Sequence, residues 1–70
     1  MSEVEKEIVI AFAKCNMNLS ETARMVHMHR NSVIYNFEKI FKKTGLKPQR
    51  FLDLVKLVKM ALRKVKGGEG

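Results

Sequence analysis

The stretch ARMVHMHRNSVIYNF, residues 23–37, decides the fold, because it forms either one long helix or two helices joined by a tight corner. It contains neither glycine nor proline to mark a break. The apolar residues on its two sides nevertheless keep different helical phases, and one straight helix cannot bury both sets on one face. A corner at about 27–29 reconciles them and places HRNS at the start of the second helix. The two sets are Leu19, Ala23 and Val26, then Val33, Phe37, Ile40 and Thr44.

The first part of the chain carries two helix start signals. SEVE at residues 2–5 fits a capping box, in which a serine and a glutamate three residues later each accept a backbone N–H. It predicts a helix over about 3–15. NLSE at residues 18–21 begins with an asparagine that suits a helix N-cap, and it predicts a second helix over about 19–26.

Two more helices are predicted in the second half. The third should run over about 30–44, because Gly45 is a natural residue to end it. Pro48 suits the first turn of a last helix over about 48–65. One face of this last helix is expected to meet the core. The residues of that face are Phe51, Leu54, Val55, Val58, Ala61, Leu62 and Val65.

These elements predict an all-α fold, a small four-helix bundle that contains a helix-turn-helix. The 70 residues should form one domain over 1–66, followed by a flexible tail at 67–70. A domain of this size buries only about 60% of the surface that its unfolded chain exposes, so a deep enzymatic pocket is not expected.

Positive charge is concentrated in the later part of the chain. The whole sequence has 14 Lys and Arg against seven Asp and Glu, a net charge of +7. Residues 1–21 carry two basic and four acidic side chains, whereas residues 22–66 carry twelve basic ones and only two acidic ones, Glu38 and Asp53. Such a cationic field attracts polyanions and favours a nucleic-acid partner. The alternative is the ordinary solvated surface of a lysine-rich protein.

Several other classes of protein do not fit. The single cysteine, Cys15, forms no internal disulfide and fits a reducing cytoplasm. The sequence has no secretion signal and no apolar run near the roughly 18 residues of a membrane span. Two histidines at a corner are a weak zinc signal, so no metal or cofactor is expected. Without a paired acid and base or a positioned nucleophile, no catalytic residue is expected either.

The predicted third helix has one apolar and one polar face. At about 100° per residue, Val33, Phe37 and Ile40 fall on the core side. The opposite side carries Asn31, Ser32, Tyr35, Glu38, Lys39 and Lys42. A short helix, a three-residue corner and a helix with a polar start describe a helix-turn-helix, whose second helix lies in the major groove of DNA.

Four residues near the start of this helix are candidates for contact with bases. Arg30 suits guanine or a phosphate, and Asn31 suits adenine, unless it only starts the helix. Ile34 is placed to touch a thymine methyl group, or is a stray exposed apolar residue. Tyr35 lies on the exposed side, so contact with the groove is favoured over burial in the core.

Other polar side chains are candidates for contact with DNA phosphates. Ser32 either bonds a phosphate or caps its own helix. His29 either caps the third helix or donates a hydrogen bond to a phosphate. The generic cationic candidates, each of which a solvated face explains equally well, are Arg24, Lys39, Lys42 and Lys43.

At this point the residues resemble a known family. CNMNLSETARMVHMHRNSVIYNFEKIFKKTGL, residues 15–46, with LVKMALR at 57–63, is similar to the C-terminal DNA-binding domain of PucR-type (CdaR-type) bacterial regulators. The shared pattern is an S-x-T-A helix start, H-R-N-[ST] before the recognition helix, a following tyrosine and a closing A-L helix. The resemblance extends over about residues 5–63, and the Fis-type helix-turn-helix is a more distant relative.

The resemblance implies a transcriptional regulator that binds double-stranded DNA through a short helical bundle. It places His29, Arg30, Asn31 and Ser32 at the start of the recognition helix and Tyr35 on its groove side. It also places Asn18 and Ser20 where the preceding helix touches phosphate. The family usually has basic residues at positions 34 and 36, where this chain has Ile34 and Asn36. These 70 residues do not include an effector-sensing domain, which is a second departure from the family pattern.

The sequence therefore predicts a sequence-specific DNA-binding regulator, or its DNA-binding domain, with helix 30–44 in the major groove. One helix covers about four base pairs, so a homodimer on two half-sites is expected. Candidate dimer residues are Ile10, Leu57 and Met60, the last two off the predicted core face. The alternatives are a nonspecific Fis-like architectural DNA binder and an adaptor module that docks on an acidic protein. The expected location is the bacterial cytoplasm, at the nucleoid.

Overall fold

The computed structural model describes residues 1–63, which contain four α-helices and no strand. The helices are α1 (Glu3–Lys14), α2 (Leu19–Met25), α3 (Arg30–Thr44) and α4 (Phe51–Leu62). The predicted all-α fold is confirmed. α3 has the predicted bounds, and α1 and α2 each end one residue earlier than predicted. Val65 and the predicted tail at 67–70 lie outside the described residues.

The first two helices begin with the predicted caps. The Ser2 hydroxyl accepts a hydrogen bond from the Glu5 backbone N–H at 3.2 Å, and the Glu5 carboxylate accepts one from the Ser2 N–H at 2.9 Å. At the start of α2, the Asn18 side-chain oxygen accepts from the Glu21 N–H at 2.9 Å. Each cap satisfies backbone N–H groups that the first helical turn leaves without partners.

The predicted corner between α2 and α3 is confirmed. α2 ends at Met25, and His27 adopts a left-handed backbone conformation with φ of 59°. The Met28 N–H then donates to the Ala23 carbonyl at 2.9 Å and turns the chain towards α3. Histidine is among the non-glycine residues that tolerate this conformation best, which explains a sharp corner without glycine.

The core lies around α1, which packs against the other three helices, and α2 also packs against α3. Among the helices of residues 1–63, α4 packs only against α1. The Phe12 ring meets the Phe37 ring edge-on, with 4.8 Å between ring centroids. The buried apolar residues of the core are Ile8, Val9, Phe12, Ala23, Val33, Phe37, Ile40, Leu54 and Leu57.

The predictions for the last helix are partly wrong. Pro48 is buried in a turn before the helix, so α4 begins at Phe51, and it ends at Leu62. The predicted core residue Leu54 is buried, and the predicted Val58 and Ala61 pack against the core. Leu57, which was not predicted to face the core, is fully buried, because α4 is turned towards its side. The predicted core residues Phe51, Val55 and Leu62 are instead exposed.

In residues 1–63, no helix has both the length and the apolar character needed to cross a membrane.

Candidate nucleic-acid interface

The start of α3 is held by His29. Its Nδ1 atom accepts a hydrogen bond from the Asn31 backbone N–H at 3.1 Å, which confirms the predicted cap. An imidazole that accepts through Nδ1 in its neutral form carries its proton on Nε2. The side chain is exposed, so this Nε2–H is a hydrogen-bond donor that faces solvent beside the first turn of the helix.

The start of α2 lies beside the start of α3. The Arg30 guanidinium donates from Nη1 to the Ser20 hydroxyl at 3.4 Å, and both residues are exposed. Asn18 is also exposed, and its cap uses only the side-chain oxygen, so the amide NH₂ keeps its donors. The structure therefore brings together the predicted base contact Arg30 and the predicted phosphate contact Ser20.

Four exposed side chains follow the outer side of α3 at spacings of four, three and four residues. We call Asn31, Tyr35, Glu38 and Lys42 the outer stripe. The helix periodicity places the stripe opposite the buried residues Val33, Phe37 and Ile40. Tyr35 is 64% exposed, so it does not belong to the core. The stripe extends over about 16 Å of helix, at about 1.5 Å per residue.

The two flanks of the outer stripe differ in chemistry. On one flank the Lys39 ammonium lies over the Tyr35 ring, 5.6 Å from its centroid, a cation–π contact that orients the ring. Ser32 is exposed on the same flank. On the other flank Ile34 is partly covered and lines a surface groove with Met17. Ile34 therefore offers less free apolar surface than a fully exposed residue would.

Asn36 occupies a position where the resemblance favours a basic residue. Its side-chain NH₂ donates to the backbone carbonyl of Ser32 at 2.8 Å, one turn earlier in α3. The side chain is half-buried beside the core rather than on the outer stripe. Asn36 is therefore engaged with its own helix.

Lys43 differs from the other lysines of α3 because its ammonium forms an ion pair. Its ammonium contacts both carboxylate oxygens of Glu5, at 3.0 and 3.2 Å, and ties the end of α3 to the start of α1. Burial alone would raise the pKa of the fully buried Glu5 carboxyl, but the Ser2 N–H and the Lys43 ammonium outweigh it and lower that pKa. Lys43 is thus better explained as a structural residue than as the phosphate contact that the sequence predicts.

Replacing Lys43 with alanine should lower the free energy of unfolding by about 1–2 kcal/mol at pH 7, because it leaves a buried carboxylate without its cation. The lowered pKa of Glu5 means that this contribution is present above its unfolded value of about 4.3 and is lost as the pH falls through the folded value. Urea denaturation at pH 7 and at a series of lower pH values measures both effects.

The matched control for this substitution is Lys42→Ala. Lys42 is exposed and forms no ion pair within the described part of the chain, so its loss should change stability by less than about 0.5 kcal/mol. Equal destabilisation by the two variants at pH 7, or a Lys43→Ala effect that grows as the pH falls, would contradict the assignment.

The predicted dimer residues are not brought together on one surface. Leu57 is fully buried in the core, so its assignment to a dimer interface is wrong. Met60 is 39% exposed, and Ile10 is half-buried in a groove beside Met25. The exposed apolar residues of α4 lie elsewhere on the helix, at Phe51, Leu52, Val55 and Leu62.

One exposed residue of α3 was not among the sequence-based candidates for contact with DNA. Glu38 lies in the middle of the outer stripe, although the stripe is otherwise neutral or basic. Its exposed side could be recognised from helix periodicity, but an acidic residue among lysines gives no signal for DNA contact. Within residues 1–63, no group of three or more His, Cys, Asp or Glu side chains is arranged to hold a metal ion.

Comparison with known proteins agrees with the helix-turn-helix fold. The protein-family model of the PucR C-terminal helix-turn-helix domain matches residues 6–63, which is most of the chain. Comparisons with curated proteins and with solved structures give no match. Domains of the matching family bind DNA in transcription regulators and are not enzymes. The resemblance of residues 15–46 to this family is thus confirmed. The chain belongs to the family of PucR C-terminal helix-turn-helix domains.

Proposed function

We propose that this chain is a sequence-specific DNA-binding module that places α3 in the major groove and acts at the bacterial nucleoid. The main observation behind the proposal is the outer stripe, which exposes Asn31 and Tyr35 on the side of α3 that faces away from the core. The major groove of B-DNA admits one α-helix, and its base edges are reached by the residues of the outward side.

The proposed base contacts are Arg30, Asn31, Ile34 and Tyr35. An arginine pairs with the O6 and N7 atoms of guanine, and an asparagine pairs with the N6 and N7 atoms of adenine. Ile34 supplies apolar contact to a thymine methyl group from the flank of the outer stripe. The Lys39 ammonium, 5.6 Å from the centroid of the Tyr35 ring, helps to orient the tyrosine on the same surface.

The proposed phosphate contacts surround these residues on both helices. The Nε2–H of His29 and the amide of Asn18 are hydrogen-bond donors near the starts of α3 and α2. Such contacts fix the register of a protein on DNA without specifying sequence. The full set is Asn18, Ser20, Arg24, His29, Ser32, Lys39 and Lys42, without Lys43.

Two single substitutions test the proposal. Arg30→Ala should weaken binding to a preferred duplex by about 1–3 kcal/mol and weaken binding to random duplexes much less, because it removes a base contact. Lys42→Ala should weaken binding to both duplexes by similar factors, because a phosphate contact is independent of sequence. Fluorescence anisotropy with labelled duplexes measures both dissociation constants.

Other results would favour the alternatives. Equal affinity of the unmodified chain for random and selected duplexes would favour a nonspecific architectural binder. No binding to any duplex at low salt would favour an adaptor that docks on an acidic protein.

We further propose that two copies bind DNA together through α4. The exposed residues Phe51, Val55 and Leu62, with the half-buried Val58, follow spacings of four, three and four residues. This spacing forms an apolar seam that suits the same seam on a second helix. A stable interface needs about 800 Å² from each partner, more than these few side chains expose. We therefore expect monomers in free solution and dimers on paired half-sites.

Cooperative binding tests this dimer. Phe51→Ser with Leu62→Ser should remove cooperativity on a duplex with two half-sites about one helical turn apart, while affinity for a single half-site stays unchanged. Met60→Ser is the control, because Met60 is exposed on another side of α4. Retained cooperativity in the double variant would exclude α4 as the contact.

A further inference from the structure

We propose that Glu38 determines sequence preference by accepting a hydrogen bond from the N4 amino group of a cytosine in the major groove. The inference rests on the proposed function, because it requires α3 to lie in that groove. Glu38 is exposed at the centre of the outer stripe, between Tyr35 one turn before and Lys42 one turn after. It is the sole acidic residue of α3.

The carboxylate of Glu38 is free to accept a hydrogen bond. The ion pairs within residues 1–63 involve Glu3 and Glu5, and neither Lys39 nor Lys42 comes within 4.0 Å of Glu38 to form another. No hydrogen bond within the same part of the chain uses its side chain either. A solvated carboxylate on this surface must exchange its water for another donor when the surface meets DNA.

Electrostatics then restricts what the carboxylate can meet. A negative charge between DNA strands is repelled by phosphate, so an acidic residue here weakens binding unless a base offers it a donor. In the major groove, guanine presents only acceptors, and thymine presents an acceptor and a methyl group. Adenine presents its amino group next to the N7 acceptor, which repels a carboxylate. Cytosine presents its amino group without an adjacent acceptor of its own, and it is the base that suits Glu38 best.

The helix geometry also predicts where the cytosine lies. Glu38 is eight residues after Arg30, which is about 12 Å along the helix axis at 1.5 Å per residue. Base pairs are spaced by about 3.4 Å along a strand. A helix that follows the groove therefore places the cytosine about three or four base pairs from the base pair that Arg30 contacts.

Selection of binding sites from random duplexes tests the inference, with the unmodified chain, Glu38→Gln and Glu38→Ala compared. The unmodified chain should select one fixed cytosine and discriminate against other bases there by about 5- to 100-fold. Glu38→Gln should shift that position towards adenine, whose N6 and N7 atoms suit an amide. Glu38→Ala should lose the preference at that position and bind random duplexes more tightly, because it removes one negative charge.

A charge-matched control separates base recognition from general repulsion. Glu7 is exposed on α1, so Glu7→Gln removes one negative charge without touching the outer stripe. It should leave the selected site unchanged. If all the Glu38 variants select the same site with equal discrimination, Glu38 does not contact a base and the inference is overturned. An unmodified chain that binds no duplex would overturn the proposed function as well, so the two failures are distinguishable.

Discussion

Phe37→Ala is expected to lower the free energy of unfolding by about 3–5 kcal/mol, which is the usual cost of removing a large buried aromatic side chain. Phe37 is 2% exposed, and its ring packs edge-on against Phe12 at 4.8 Å. A domain this small has only about 3–5 kcal/mol of net stability from its core. The variant should therefore be largely unfolded at 25 °C, which far-UV circular dichroism and urea denaturation measure.

Phe41→Ala is the matched control, one helical turn after Phe37. Phe41 is 43% exposed and its ring lies under the Lys47 ammonium at 5.2 Å. An exposed cation–π contact is worth about 0.5–1 kcal/mol, so this variant should remain folded. Similar urea midpoints for the two variants would contradict the observed packing of α3, because Phe37 would then contribute no more to the core than Phe41 does.

Raising the salt concentration from 50 to 200 mM is expected to weaken binding to duplex DNA by about 150- to 1,800-fold per subunit. This follows from about four to six phosphate contacts, each contributing about −0.9 to the slope of log affinity against log salt. The proposed contacts around Arg24, Lys39 and Lys42 supply most of the charge. Fluorescence anisotropy over a series of salt concentrations measures the slope.

The lysines of α3 provide the control for that slope. Lys39→Ala with Lys42→Ala should make it less steep by about 1.8, because two phosphate contacts are lost. Lys43→Ala should leave it nearly unchanged, since the Lys43 ammonium is paired with Glu5. A slope near zero for the unmodified chain, or an equal effect of Lys43→Ala, would contradict the proposed phosphate contacts.

The region from α2 to α3 was predictable from the sequence because several local signals agree there. Asn18 marks one helix start, Gly45 marks one helix end, and the apolar phase changes between them. The exposure of Asn31 and Tyr35 follows from the same periodicity. Local signals of this kind depend on residues within one or two turns, and in this region the tertiary packing agrees with them.

The predictions from sequence fail for features that depend on packing between different parts of the chain. The charged residues Asp53, Lys56 and Lys59 share one side of α4, so periodicity selects the opposite side, around Leu54, Val58 and Ala61. The observed packing is rotated from that side towards Leu57. Among the helices of residues 1–63, α4 contacts only α1, and this contact turns Leu57 inward and leaves Phe51 exposed. The pairing of Glu5 with Lys43 joins residues 38 positions apart, and no local pattern predicts it.

The most direct test of the central claim is an NMR titration of the ¹⁵N-labelled chain with a duplex that holds a single half-site of a selected sequence. We predict that the largest amide shifts fall at residues 29–42 and at Asn18 and Ser20, while the core residues Leu54 and Leu57 shift little. Shifts concentrated on α1 and α4, with the outer stripe of α3 unchanged, would contradict the account.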